Sequence, residues 1–386
     1  MKIPFHKPII PKNLNELFPK SVRSGWLTTG PIVKEFELQL CEYLQSDNVV
    51  CVNSGTAALH LALASKGFMP GDKFIAPTYT FAATIEVGEY LGLKPILIDC
   101  EKNSLNIDLD CVETVLKREK NIIAIIPVHL TGYANDMKRI NDLSQKYGIF
   151  VLEDAAHALE TVSNAGKVGN TNNAAAFSFY ANKNITTGGE GGAVSTNDNE
   201  LAEKIRKLSL HGMSKDGWRR FKEGGSWFYD ISELGYKYNL TDIAACFGLE
   251  QLEHIQSWHK RRVEIAKQYK SALKNIKGLI SPHQKDKLTH AWHLFIIQII
   301  SKRWRISRDE IINELNKAGI GTALHYTPVH MHSYYFKKYG WLPNDFPFAK
   351  KLSETVISLP LYPAMQNDEI SYIIDTIKKL WDSYKI

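Results

Sequence analysis

The sequence predicts an α/β chain: a largely parallel sheet of seven strands in a large domain, 1–250, followed by a smaller α+β domain, 251–386. Three observations carry that expectation. Short β-branched or apolar runs recur at 49–52, 73–76, 95–98, 122–126, 149–152, 174–179 and 192–196. Stretches of helical periodicity, among them 57–66, 82–91 and 137–147, separate most of them. Continuous apolar runs alternating with helices imply parallel strands covered on both faces. After about residue 250 the texture changes. A long helix is expected over 243–262, then a strand-like run at 292–300, a helix over 308–318, an apolar run at 352–359 and a final helix from Asp368. Aromatic, proline and histidine residues crowd 323–347, which reads as an ordered loop. The proline-broken N-terminal segment is expected to pack on the smaller domain.

Composition narrows the function classes. At 386 residues, with 44% hydrophobic and 23% charged residues, the chain has ample material for two globular cores. The net charge of +6 is scattered rather than clustered, which argues against nucleic-acid binding and fits a cleft for an anionic small molecule. Five cysteines without a close pair (Cys41, Cys51, Cys100, Cys111 and Cys246) argue against a zinc site or a disulfide framework. No signal-type apolar core opens the chain, and no apolar run approaches the ~18 residues of a membrane span. The expectation is a soluble cytoplasmic protein with no metal and no membrane partner.

The chemistry centres on Lys183, in the run Ser178-Phe-Tyr-Ala-Asn-Lys-Asn-Ile-Thr-Thr-Gly-Gly-Glu-Gly-Gly192. An amine between an apolar run and a glycine-rich turn is placed for covalent work with a carbonyl, and pyridoxal phosphate (PLP) is the cofactor that would use it. Such a site needs a phosphate cradle, a carboxylate for the pyridine nitrogen and an aromatic against the ring. Asn53-Ser-Gly-Thr-Ala-Ala-Leu-His60 follows a strand and opens a helix, so Gly55, Thr56 and Ala57 are cradle candidates. An ordinary helix cap would read the same. Asp154 ends an apolar strand, where carboxylates face the ligand crevice of a parallel sheet. There it would hold a pyridine nitrogen protonated, and His157 follows one turn later. Phe81, in Pro77-Thr-Tyr-Thr-Phe81, is the stacking candidate, and Ser178 a further phosphate ligand.

In this order the motifs resemble the DegT/DnrJ/EryC1/StrS family of PLP-dependent sugar aminotransferases, nearly end to end. The resemblance includes Ser24-Gly-Trp-Leu-Thr-Thr-Gly30, Glu153-Asp-Ala-Ala-His-Ala, the Ser178–Gly192 block, His211-Gly-Met and Leu234-Gly-Tyr-Lys-Tyr-Asn-Leu-Thr-Asp242. It continues through Trp292-His-Leu-Phe, Gly319-Ile-Gly-Thr-Ala-Leu-His-Tyr326 and Leu359-Pro-Leu-Tyr-Pro363. It implies PLP-dependent transferase fold type I, aspartate-aminotransferase-like, with Lys183 as the Schiff-base lysine and Asp154 as the pyridine partner. It also implies Thr56, Ala57 and Ser178 at the phosphate, and His157 and Phe81 around the ring. Many members read Gly-Tyr-Asn-Tyr-Arg where this chain has Gly-Tyr-Lys-Tyr-Asn, so Lys237 stands where an asparagine reaches the cofactor phosphate of the partner subunit. That variant looks like enzymes aminating 4-keto sugars.

The activity so implied is ping-pong transfer of an amino group from L-glutamate to a nucleotide-linked keto sugar, in a homodimer with shared active sites. Thr29, His325 and Tyr326 are the sugar-side candidates, and Arg219, Arg220 and Lys222 the diphosphate candidates. A 3-keto sugar aminotransferase, a non-enzymatic PLP-binding regulator and an aminotransferase for small amino acids are the alternatives. Related sugar dehydratases carry histidine at the lysine position, and the intact Lys183 separates this chain from them.

Overall fold

The computed structural model describes residues 1–11, 14–101, 104–213, 230–282 and 288–386. In chain order the elements begin with α1 (Leu14–Ser24), α2 (Pro31–Leu44), β1 (Asn48–Val52), α3 (Gly55–Ala64), β2 (Lys73–Pro77) and α4 (Ala83–Glu89). Then come β3 (Lys94–Ile98), α5 (Leu109–Arg118), β4 (Ile122–Ile125), α6 (Met137–Tyr147), β5 (Phe150–Asp154), β6 (Val162–Ser163) and β7 (Gly166–Lys167). β8 (Ala174–Ser178), β9 (Gly192–Thr196), α7 (Asn199–Leu208) and the long α8 (Asp242–Leu273) follow. The remainder is β10 (Leu279–Ile280), β11 (Phe295–Ile299), α9 (Arg308–Lys317), α10 (Ser333–Tyr339), α11 (Pro347–Thr355), β12 (Val356–Leu359) and α12 (Asn367–Tyr384).

Among the described residues the main sheet has seven strands in the order β1-β9-β8-β5-β4-β2-β3. All run parallel except β9, which is antiparallel to both its neighbours. The reason is the connection: residues 179–191 hold no helix, and a parallel strand would need a crossover element. The chain therefore turns back as a hairpin and carries Lys183 in the turn. Alternate residues of one strand feed opposite cores. Val50 and Val52 join the core that holds α3, α4 and α7, whereas Val49 and Cys51 join the core under α2 and α8. A third cluster packs α5 and α6 against Ile75, Ile125 and Val151. Burial on both faces is what the unbroken apolar runs encode.

The smaller body is the antiparallel sheet β10-β11-β12 with α9, α12 and the second half of α8. α8 is one helix of 32 residues, not one ending near 262, and residue 250 falls inside it. Ala245, Leu252 and Ile255 pack into the large body, while Ile265, Ala266, Tyr269 and Leu273 pack into the smaller one. The apolar run at 352–359 divides: α11 ends at Thr355, and β12 pairs with β11. Within 323–347 the chain forms α10, closed by Gly340 in the left-handed region that glycine enters without cost. Ile3 is buried in the smaller core, and its N–H donates to the Gly319 carbonyl at 2.8 Å.

Candidate active site

The carboxyl ends of β1, β2, β4, β5 and β8 open on one cavity of about 450 Å³. Ser54, Gly55 and Thr56 line it after β1, Thr80 and Phe81 after β2, and Val128 and Leu130 after β4. Asp154 and His157 line it from β5 onward, Ser178 ends β8, and Lys183 comes from the hairpin turn. His325 and Tyr326 form the wall contributed by the loop before α10. This is the crevice where open parallel sheets place their ligands.

The cradle is built by close approach. Ser54 is extended, and its hydroxyl accepts the Ala57 N–H at 3.0 Å, capping α3. The Gly55 and Thr56 N–H groups lack intrahelical acceptors by construction and sit at the positive end of the helix. Ala57 does not line the cavity and its N–H is already taken, which leaves Gly55 and Thr56 as the backbone donors. Ser178 lies so near Gly55 that a Cβ there would be 2.8 Å from the serine Cβ. A Cβ on Gly192 would run into the Ser54 carbonyl. The loop after β1 and the β8–β9 hairpin are thus packed backbone to backbone, with Ser178 at the seam.

Asp154 is 6% exposed. Its Oδ2 accepts the Thr84 hydroxyl at 2.8 Å and its Oδ1 accepts the Ala156 N–H at 3.2 Å. Burial raises its pKa above the usual carboxylate range, while those two donors and the Lys183 charge oppose the rise. Burial in turn lowers the Lys183 amine to about 8, against the pull of Asp154. An amine in that range is half deprotonated near pH 8, so far more of it is the neutral nucleophile near neutral pH than for an ordinary lysine.

His157 Nδ1 accepts the Thr131 N–H at 3.2 Å, so its ring proton sits on Nε2 and is donated to Tyr326 Oη at 3.2 Å. Burial first, with the neighbouring Lys183 charge, keeps the ring neutral. His293 packs against it, ring centroids 4.2 Å apart, and is itself held by Asn184, whose amide nitrogen donates to Glu160 at 2.6 Å. Phe81 lies at the mouth, 61% exposed, with its ring 6.0 Å from that of Tyr326. His325 is lowered to about 4 by burial and the Lys183 charge, and its Nδ1 meets Ser358 Oγ at 2.8 Å.

Besides Ala57, two sequence candidates lie outside the cavity. The Lys237 side chain is exposed, and its carbonyl accepts from Asn53 Nδ2 at 3.5 Å. Thr29 donates its hydroxyl to the Leu240 carbonyl and accepts Asn239 Nδ2 at 2.7 Å. Asp242 accepts the Gly30 and Val33 N–H groups at 2.8 and 3.0 Å, locking the Ser24–Gly30 motif to the Leu234–Asp242 motif. Arg219, Arg220 and Lys222 lie outside the described residues. Conversely, Thr84, Thr131 and Tyr79 act on the site through contacts between distant segments. No local pattern announces such residues.

A sequence model of the DegT/DnrJ/EryC1/StrS aminotransferase family matches residues 8–378. The chain belongs to this family. It is 43% identical to the spore coat polysaccharide biosynthesis protein SpsC of Bacillus subtilis (strain 168), over 98% of this chain and 97% of that one. The sugar aminotransferase Spr1654 of Streptococcus pneumoniae superposes in its PLP form with a TM-score of 0.90 at 32% identity, covering 99% of both chains. Its PMP form gives 0.91 at the same identity. PseC of Helicobacter pylori, an aminotransferase in pseudoaminic acid biosynthesis, gives 0.91 at 27% identity, covering 99% of this chain and all of that one. This family member is a PLP-dependent sugar aminotransferase with the fold of those neighbours. The residues present fit the cofactor: a glycine cradle at a helix N-terminus, a buried carboxylate and a depressed amine share one cavity. Among the described residues no helix is long and apolar enough to cross a membrane.

Proposed function

We propose that the enzyme moves an amino group from L-glutamate to a nucleotide-linked keto sugar, with the sugar aminated at C4, and that two subunits share each site. One observation carries the reading: Lys183 and Asp154 lie in a cavity closed by His325 and Tyr326, polar groups that suit hydroxylated substrates. Bound PLP supplies an electron sink for a carbanion at the amino carbon. The Asp154 carboxylate holds the pyridine nitrogen protonated through its opposite charge. Gly55, Thr56 and Ser178 hold the phosphate, with Ala57 securing the cap, while His157 and Phe81 flank the ring. Lys183 Nζ takes the proton from the α-carbon of the donor and, in the second half, delivers one to the sugar carbon. His325 and Tyr326 orient the sugar.

The exposed Lys237 and the Thr29 segment, which do not line their own cavity, serve the partner's site, where an ammonium acts as a point-charge phosphate ligand. The exposed apolar side chains of Leu27, Leu38 and Leu234 support burial of apolar surface against a second copy. The Lys-Tyr-Asn variant at 237–239 supports C4 over C3 amination. The test is a panel of UDP-, dTDP- and GDP-linked 3-keto and 4-keto sugars incubated with glutamate and read by mass spectrometry. A 4-keto sugar should gain the amine while 2-oxoglutarate appears. Amination of 3-keto sugars alone would move the reading to C3, and turnover with amino-acid pairs alone would overturn it.

A further inference from the structure

Tyr79 follows β2, is fully buried and does not line the cavity. Its hydroxyl donates to the His325 carbonyl at 2.7 Å and accepts the Tyr326 N–H at 3.0 Å. One oxygen therefore brackets the peptide that joins two cavity-lining residues. The adjoining residue extends the seam, since the Thr78 carbonyl accepts the Val329 N–H at 2.8 Å and its hydroxyl meets His330 Nδ1 at 2.7 Å. Here the end of a sheet strand grips the loop that supplies the cavity wall. Tyr326 Oη already accepts the His157 proton, so its own O–H is left to donate into the cavity. Where that hydroxyl points depends on the backbone that Tyr79 holds.

We infer that Tyr79 is a positioning residue for sugar recognition: without touching substrate, its hydroxyl fixes the His325–Tyr326 peptide so that both side chains meet the keto sugar in one geometry. The inference rests on the reading of His325 and Tyr326 as sugar contacts. A phenol suits the task because one atom both donates and accepts. Phenylalanine would keep the ring and leave a buried carbonyl and N–H unpaired. The amino-donor half is carried by Lys183 of the β8–β9 turn and Asp154 of β5, which have no bond to Tyr79 among those of the described residues.

The test compares Tyr79→Phe with the unmodified PLP-loaded enzyme, using a UDP-linked 4-keto-6-deoxy sugar as probe. The KM for the sugar should rise on the order of tenfold, the effect of one lost buried hydrogen-bonded group. The single-turnover rate with glutamate should stay within about twofold, a split that assigns the loss to sugar binding. In a double-mutant cycle with Tyr326→Phe the two effects should be less than additive, because both act through one phenol. Equal slowing of both halves together with a lowered melting temperature would mark a merely structural role and overturn the inference. So would an unchanged KM in Tyr79→Phe when Tyr326→Phe raises it. If Tyr326→Phe and His325→Ala both leave the sugar KM unchanged, it is the underlying reading that falls.

Discussion

At the scale of single residues, the site is a set of charges adjusted by burial. Lys183 is lowered to about 8 because its ammonium is desolvated, and Asp154 restrains the fall. The neutral amine is the nucleophile, so PLP should enter the cofactor-free protein faster as pH rises and level off above about 8. A stopped-flow absorbance series from pH 6 to 10 checks this, and a rate still climbing at the alkaline end would place the amine in an ordinary lysine range. Asp154→Asn keeps the shape of the site and removes its charge. Turnover should drop by about 10²–10³, the usual effect of losing one preorganised electrostatic partner. Near-normal turnover would mean that another group serves the pyridine nitrogen. Asp154 and Ser178 were legible in the sequence because they close apolar runs, and Lys183 because it stands between such a run and a glycine-rich turn. Tyr79 and Thr84 were not, since their partners lie 246 and 70 residues away.

At the scale of elements, glycines set the distances. Gly55 lets the α3 N-terminus approach Ser178, and Gly192 lets β9 start against the Ser54 carbonyl. Gly192→Ala has only backbone to push against and should weaken PLP binding by at least about tenfold, with the ~1–3 kcal/mol destabilisation of an overpacked site. Gly55→Ala meets a side chain and should be milder. Equilibrium dialysis and thermal unfolding of the two variants would show the order, and equal effects would contradict the backbone-contact argument. Strand runs such as 73–76 and 192–196 read well because burial on both faces leaves an unbroken apolar signature. The length of α8 did not. Its second half changes the core it faces, so the apolar stripe shifts and the sequence periodicity breaks near 262.

At the scale of the whole molecule, several histidines are held neutral inside it. His6 and His325 are lowered from 6.5 to about 4 and His290 to about 3, each mainly by burial, and burial also holds His157 and His293 well below 6.5. Their folded values lie below their unfolded ones, so the unfolded chain binds more protons in between. Stability is therefore full above about 6.5 and is lost as pH falls toward 4, at roughly 1.4 kcal/mol per unit for each such histidine. Denaturant midpoints at pH 7.5, 6 and 5 should fall in that order, and a flat series would contradict the burial of these rings. The shared-site proposal also belongs here. Lys183→Ala and Lys237→Glu, each inactive alone, should regain part of the activity when refolded together, and an inactive mixture would count against exchange of residues between subunits.

The central claim is that Lys183 carries the chemistry. Borohydride reduction of the PLP-loaded enzyme, followed by peptide mass mapping, tests it most directly. The cofactor mass should appear on the peptide containing Lys183 and vanish in Lys183→Ala. Cofactor fixed to any other lysine, or still fixed in the variant, would contradict it.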